Sequence, residues 1–230
     1  MGDIDYGLFI LFMIALVFSL SLHEFGHAWV SGLFGDDVPR LSGRVTMNPA
    51  SHVDPIGTLL FPALSFFTSV PLLGWAKPVP VNPSNWQNRR VANFWVSIAG
   101  ILGNLLIAIV AGISIRTLYE LGFILPGGNN LYTFFVALDS GSVVLAGVVR
   151  LLNILFFLNV ALAVFNFLPI PPLDGSKILG SILPPSFEPM LASLDRYGFI
   201  LLFVGLITGV FGKLFGFVIP FVLRLLFIGA

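Results

Sequence analysis

The sequence predicts an all-α, multi-pass membrane protein of about five to six transmembrane helices, with a re-entrant hairpin and a short membrane-associated β segment. Three observations carry that expectation. Of the 230 residues 57% are hydrophobic and 10% charged, and the mean hydropathy is +1.00, outside the range of water-soluble globules. Long apolar runs recur, several approaching the roughly 20 helical residues that cross a hydrocarbon core. The 11 basic and 11 acidic residues cancel, which leaves neither the basic footprint of a nucleic-acid binder nor the acidic excess of a disordered tail.

The first run spans Leu8 to Leu22 and continues through His23, Glu24 and His27 to Phe34. Asp3 and Asp5 precede it with no Lys or Arg, so it lacks the basic start of a cleaved leader and reads as a retained span. Pro55–Ala76, Val91–Ile115, Leu151–Leu173 (with uncharged Ser140–Val149 before it) and Tyr197–Ile228 follow. Arg40, Arg44, Lys77, Arg89, Arg90, Lys177 and Arg196 occupy the loops after the first run, around the second and after the fourth, whereas 117–140 carries Glu120 and Asp139 and no basic residue past Arg116. By the positive-inside rule the N-terminus and 117–140 lie outside and the basic loops face the cytoplasm of a plasma or inner membrane. Pro55–Ala76 then enters and leaves on one side, and Pro55, Pro62 and Pro71 suit such a broken, re-entrant helix. Residues 1–230 read as one transmembrane domain, with a core over 8–183 and a C-terminal helical segment over 197–228.

There are no cysteines, so His, Asp and Glu are the strong metal ligands available. His23-Glu24-Phe25-Gly26-His27 puts two imidazoles one turn apart on a helix face, with a carboxylate beside them: the H-E-x-x-H pattern of zinc hydrolases. With so few His and Glu in the chain, chance would give the pattern about once in two thousand such sequences. Ionisable groups inside an apolar span are costly unless they act. About 22 Å of helix separates Leu8 from His23, which sets the motif toward the cytoplasmic side of the membrane core.

A catalytic zinc takes three protein ligands and keeps a fourth position open. Asp174, His52 and Asp54 are the candidates for the third. Asp174 is favoured: Pro169, Pro171 and Pro172 end the fourth run and hold an extended segment, and that run travels in the same direction as the first, so His27 and Asp174 lie at similar depth. In Ser51-His52-Val53-Asp54-Pro55, Asp54 reads as a helix cap and Pro55 as a first helical residue.

The pairing of His23-Glu24-x-x-His27 with Asn166 and, beyond the prolines, Asp174-Gly175 resembles the site-2 protease family (M50) of intramembrane zinc metalloproteases. Gly43–Pro49, His52–Thr58 and Gly74–Pro83 resemble its compact prokaryotic members without PDZ or CBS domains. The family's G-P-x-x-N appears here as Gly100-Ile101-Leu102-Gly103-Asn104, with Ile101 in place of proline. The resemblance implies an endopeptidase that cleaves within or near transmembrane helices, as in regulated intramembrane proteolysis. It implies one Zn2+ per chain on His23, His27 and Asp174, Glu24 as general base, and Asn166 as a hydrogen-bond partner of the substrate backbone or developing oxyanion. Asn104 reads as structural, and Asn153 and Asn159 as interhelical hydrogen bonds.

The expected partners are the lipid bilayer and a single-span transmembrane substrate, which must unwind locally before water reaches a peptide bond. Arg44–Asn48, rich in β-formers, is the stretch expected to lend that substrate an edge strand. Two alternatives use the same polar residues differently: an ion or proton transporter, and a catalytically silent scaffold. Glu120 and Glu188 are the remaining acidic candidates for an H-E-x-x-H site completed by glutamate.

Overall fold

The computed structural model describes residues 5–68, 70, 72, 74–127, 134–139 and 141–226, without the side chain of Glu188. It is helical, as expected. Helix α1 (Tyr6–Leu33) starts on Asp5, whose carboxylate accepts from the Leu8 N–H at 2.9 Å, and it stops at Phe34 before Gly35, which has φ +97°. A short helix α2 (Val38–Leu41) follows. Asp54 caps a wide π-type turn over Pro55–Leu60, accepting from the Ile56 and Gly57 N–H groups, and α3 (Phe61–Thr68) continues from it. Helices α4 (Arg89–Glu120) and α5 (Val143–Phe167) start on the side chains of Asn88 and Ser142.

Among the described residues four helices are long and apolar enough to cross a membrane: α1, α4, α5 and the stretch Pro189–Ile207. The C-terminal segment does not form one span. Helix α6 (Asp174–Ile182) is followed by α7 (Glu188–Ile207) and α8 (Val210–Leu226), and Gly209, at φ +71°, separates the last two. The seventh helix thus begins before Tyr197, with Asp195 and Arg196 on exposed positions where a helix tolerates them. Ile228 and Pro71 lie outside the described residues.

Contacts between α1 and α5 occur in the same order along both helices: Asp5 with Arg150, Ser19 with Asn159, and His27 with Asp174 just beyond α5. The two helices are therefore parallel. Helix α4 is antiparallel to α1, pairing His27 with Val96 and His23 with Asn104. The α1–α4 crossing passes through glycines: a Cβ on Gly26 would stand 2.8 Å from the Ala99 carbonyl oxygen. Small residues at the crossing let apolar helices approach closely where water cannot drive them together. Ala108, Ala111, Ile115, Val149 and Phe156 form the main buried cluster between α4 and α5.

The re-entrant reading of Pro55–Ala76 agrees with the chain path. The Lys77 N–H donates to the His52 carbonyl at 2.9 Å, the Trp75 N–H to the Gly57 carbonyl at 3.2 Å, and the Thr58 hydroxyl to the Trp75 carbonyl at 2.8 Å. The segment leaves beside where it entered.

The β segment lies elsewhere than expected. Strands β1 (Ile124–Pro126) and β2 (Phe135–Ala137) pair antiparallel, Leu125 opposite Val136. Arg44–Asn48 is irregular instead: the Arg44 N–H is taken by the Pro39 carbonyl and the Thr46 carbonyl by the His52 ring, so local turn bonds outcompete a ladder there. Asn153 serves this β pair rather than another helix, exchanging bonds with the Phe134 and Phe135 backbone.

Candidate metal centre

His23 and His27 lie one turn apart on α1 and face the start of α4. The His27 Nδ1 lies 2.7 Å from the Val96 carbonyl, which can only accept, so Nδ1 carries the hydrogen and the lone pair sits on Nε2. His23 Nδ1 is 2.7 Å from Asn104 Oδ1. Both Nε2 atoms point to one spot, 3.0 Å apart. Asp174, the first residue of α6, brings Oδ2 to 3.2 Å from His23 Nε2 and 3.1 Å from His27 Nε2. All three residues are buried, with 6%, 9% and 4% exposure.

Three electron-pair donors converging in an apolar interior repel one another unless a cation stands among them. Ligands at 2.0–2.1 Å around a tetrahedral zinc are about 3.3 Å apart. The observed separations of 3.0 to 3.2 Å match that spacing closely, and nitrogen and carboxylate oxygen are the donors zinc accepts. The residues fit the ion.

The surroundings hold this geometry. Asp174 reaches inward because α5 ends at Phe167 and α6 restarts at once after a tight turn, in which the Leu173 N–H donates to the Ile170 carbonyl at 3.0 Å; the prolines shape this turn and do not hold the extended segment expected. Gly175 has a stronger role than easing a turn, since any Cβ there would collide with the Phe167 and Leu168 carbonyls. Lys177 Nζ, 3.1 Å from Asp174 Oδ1, occupies the carboxylate oxygen turned away from the histidines.

Glu24 is half-buried beside the pair, its carboxylate and the two imidazoles offering donor atoms within 4.8 Å of one another. Its Oε2 accepts from the Val79 N–H at 3.1 Å. Val79 lies in the irregular stretch that follows the hairpin. Buried Arg44 clamps that stretch, donating to the carbonyls of Ser51, Lys77 (3.2 Å) and Pro78 (2.8 Å).

Asn166 stands half-buried in the last turn of α5, and its amide donates to the Leu162 carbonyl of the same helix at 3.0 Å rather than to the cluster. His52 and Asp54 take no part in the convergence. The His52 Nε2–H donates to the Thr46 carbonyl at 2.9 Å, stapling its loop, and Asp54 caps. Glu120 pairs with Arg116 at the far end of α4, and the Glu188 side chain lies outside the described residues. Sequence reasoning did not find Val79, whose contribution is a backbone N–H, nor the link from Asn104 to His23. The spacing of Asn104 one turn after Gly100 was the available signal.

The sequence pattern described as Peptidase family M50 matches residues 11–210. Relatives named "Putative zinc metalloprotease" include the following two. YwhC of Bacillus subtilis (strain 168) is 35% identical over 196 residues, covering 85% of this chain and 80% of YwhC. Rip2 of Mycolicibacterium smegmatis is 30% identical over 209 residues, covering 91% of this chain and 71% of Rip2. No solved structure matches the chain.

Proposed function

The chain belongs to Peptidase family M50, the site-2 protease family, and is a membrane-associated zinc metalloprotease; from that premise we propose that it is an intramembrane endopeptidase acting on single-span membrane proteins. The observation that carries the proposal is the convergence of His23 Nε2, His27 Nε2 and Asp174 Oδ2 within 3.0 to 3.2 Å inside a bundle of apolar helices.

In this reading His23, His27 and Asp174 hold the zinc, which supplies polarisation of the scissile carbonyl and acidification of the attacking water. Glu24 accepts the water's proton and passes it to the leaving amine. The Val79 N–H holds Oε2 of Glu24, which leaves Oε1 as the oxygen to take that proton. Asn166, on the last turn before the Asp174 segment, hydrogen-bonds the substrate backbone or the oxyanion once its rotamer leaves Leu162.

A cavity of about 310 Å3 supports an apolar substrate. Phe12, Leu16 and Leu20 line it at four-residue spacing on α1, one turn before Glu24, and Leu158 and Leu162 line it on α5, one turn before Asn166. The metal-centre residues do not line it, so an unwound transmembrane segment bound there would extend one further turn along α1 and α5 to bring its peptide bond to Glu24. Residues that weaken a helix, such as Gly and Pro, should mark cleavable substrates. The distribution of Lys and Arg supports an outside N-terminus and a site toward the cytoplasmic face of the plasma or inner membrane.

The test is reconstitution in lipid vesicles with a single-span reporter carrying a Gly-Pro interruption. Wild type should cleave it, and Glu24→Gln and Asp174→Ala should not. Equal cleavage by Glu24→Gln would refute the proposal, and ion flux that survives that substitution would favour the transporter reading instead.

A further inference from the structure

Four buried polar side chains from three helices form one directed chain of hydrogen bonds that ends on His23. Ser19 of α1, Asn104 of α4, Asn159 of α5 and His23 are all 6% exposed or less. Acceptor-only backbone groups fix the direction. The Asn159 amide nitrogen lies 2.8 Å from the Leu155 carbonyl and 2.8 Å from Ser19 Oγ, whose own hydrogen goes to the Ala15 carbonyl at 2.6 Å. Asn159 therefore turns its Oδ1 to Asn104, which donates to it at 2.9 Å and has its nitrogen 3.4 Å from the Ser19 carbonyl. Asn104 is left with Oδ1 toward His23 Nδ1, at 2.7 Å, and an oxygen there requires a hydrogen on Nδ1. The lone pair of His23 is thereby assigned to Nε2, the atom facing Asp174 and His27.

We propose that Asn104 and Asn159 are positioning residues for the metal centre: the Asn159–Asn104 relay holds His23 in the tautomer and ring orientation that binds zinc, so zinc affinity depends on residues that never touch the ion. This rests on the His23, His27 and Asp174 reading of the site. A flipped Asn104 would present its NH2 to Nδ1 and favour the hydrogen on Nε2, blocking ligation. Flipping is opposed from α5, since Asn159 would then face the Leu155 carbonyl oxygen with its own oxygen. The relay also explains why polar residues lie in the apolar faces where α1, α4 and α5 meet. Packing alone would accept leucine.

The experiment measures zinc affinity of the detergent-solubilised full chain by chelator competition, beside helical content and the melting temperature of the zinc-free protein. Asn104→Leu should bind zinc about 10- to 100-fold more weakly than wild type. Asn104→Asp keeps an oxygen on Nδ1–H but sets its second oxygen against Asn159 Oδ1, so it should bind zinc more tightly than Asn104→Leu and more weakly than wild type, a partial rescue that a purely structural role does not predict. Asn159→Leu should weaken zinc measurably, by less than Asn104→Leu, and it decides the matter if Asn104→Leu does not fold. Zinc affinity unchanged in Asn104→Leu, or equally low in Asn104→Asp and Asn104→Leu, overturns the relay. His23→Ala is the control that separates the two claims. If it binds zinc like wild type, the ligand assignment fails; if it loses zinc while Asn159→Leu and Asn104→Leu do not, the relay alone fails.

Discussion

Gly100 on α4 stands directly against His27 on α1: a Cβ at position 100 would lie 2.6 Å from His27 Nε2 and 2.6 Å from His23 Cε1. The absence of a side chain at this position creates the space in which the two imidazoles converge. Exchanging a mid-helix glycine for alanine ordinarily stabilises a helix by about 0.5–1 kcal/mol. Here the sign reverses, because the methyl group occupies the ligand space. Gly100→Ala should purify with its helices intact and with little bound zinc, as elemental analysis of the protein would reveal. Full zinc occupancy would mean that the helices part easily.

Glu24→Gln removes a proton acceptor and leaves the three proposed ligands untouched. Its zinc content should equal that of wild type, and its turnover should fall by about 10²-fold or more, the scale of general base catalysis. Chelation of wild type should abolish turnover reversibly, with activity returning on addition of zinc. A Glu24→Gln variant that has lost its zinc would move Glu24 from base to ligand.

Arg44 governs Glu24 at one remove. Its guanidinium binds the Lys77 and Pro78 carbonyls, and the next residue's N–H meets the Glu24 carboxylate. Arg44→Ala frees the stretch after the hairpin, and misplacement of about 1 Å near a reacting group costs up to about 10²-fold in rate. The expected result is a lower kcat with zinc content unchanged. Arg44→Lys should recover little, since one ammonium cannot reproduce the planar fork across three carbonyls.

Asp36, at the end of α1, ties the loop after the hairpin to that helix. Its carboxylate is fully buried and accepts from the Asn82 N–H (2.8 Å), Asn85 Nδ2 (3.0 Å), the Val38 N–H (3.2 Å) and the Ser31 hydroxyl (3.0 Å). Burial alone would push its pKa up, and these four donors outweigh that and hold it below the usual carboxylate value of 3.8. A folded-state pKa below the unfolded one adds stability that is complete above the unfolded value and disappears as pH falls through the folded one. The difference in melting temperature between wild type and Asp36→Asn should be constant above about pH 5 and shrink below about pH 4. Asp36→Ala leaves buried donors unpaired and should cost about 1–3 kcal/mol. A difference independent of pH down to 2.5 would show that the carboxylate's charge contributes nothing.

Much of this arrangement is legible in the sequence, for identifiable reasons. A 28-residue apolar helix announces itself by composition, and H-E-x-x-H fixes two imidazoles to one face by helical geometry alone. Asp174 was reachable because loop charge gave the fourth run the direction of the first, and the parallel α1 and α5 bear that direction out. The hairpin path followed from the same charge bookkeeping. Backbone contributions and pairings between distant helices were not legible: Val79 acts through an N–H that any non-proline residue carries, and Asn104 meets His23 only because α1 and α4 cross at glycines. Asn153 went to a β pair because short strands at loop ends leave little periodic signal.

X-ray absorption at the zinc edge of the purified, zinc-loaded chain tests the central claim most directly, because it counts the ligands. Four light-atom neighbours at about 2.0–2.1 Å are expected, two of them imidazoles, with one imidazole lost in His23→Ala and in His27→Ala and an oxygen lost in Asp174→Ala. A zinc ion with no imidazole neighbour, or a spectrum unchanged by all three substitutions, would contradict it.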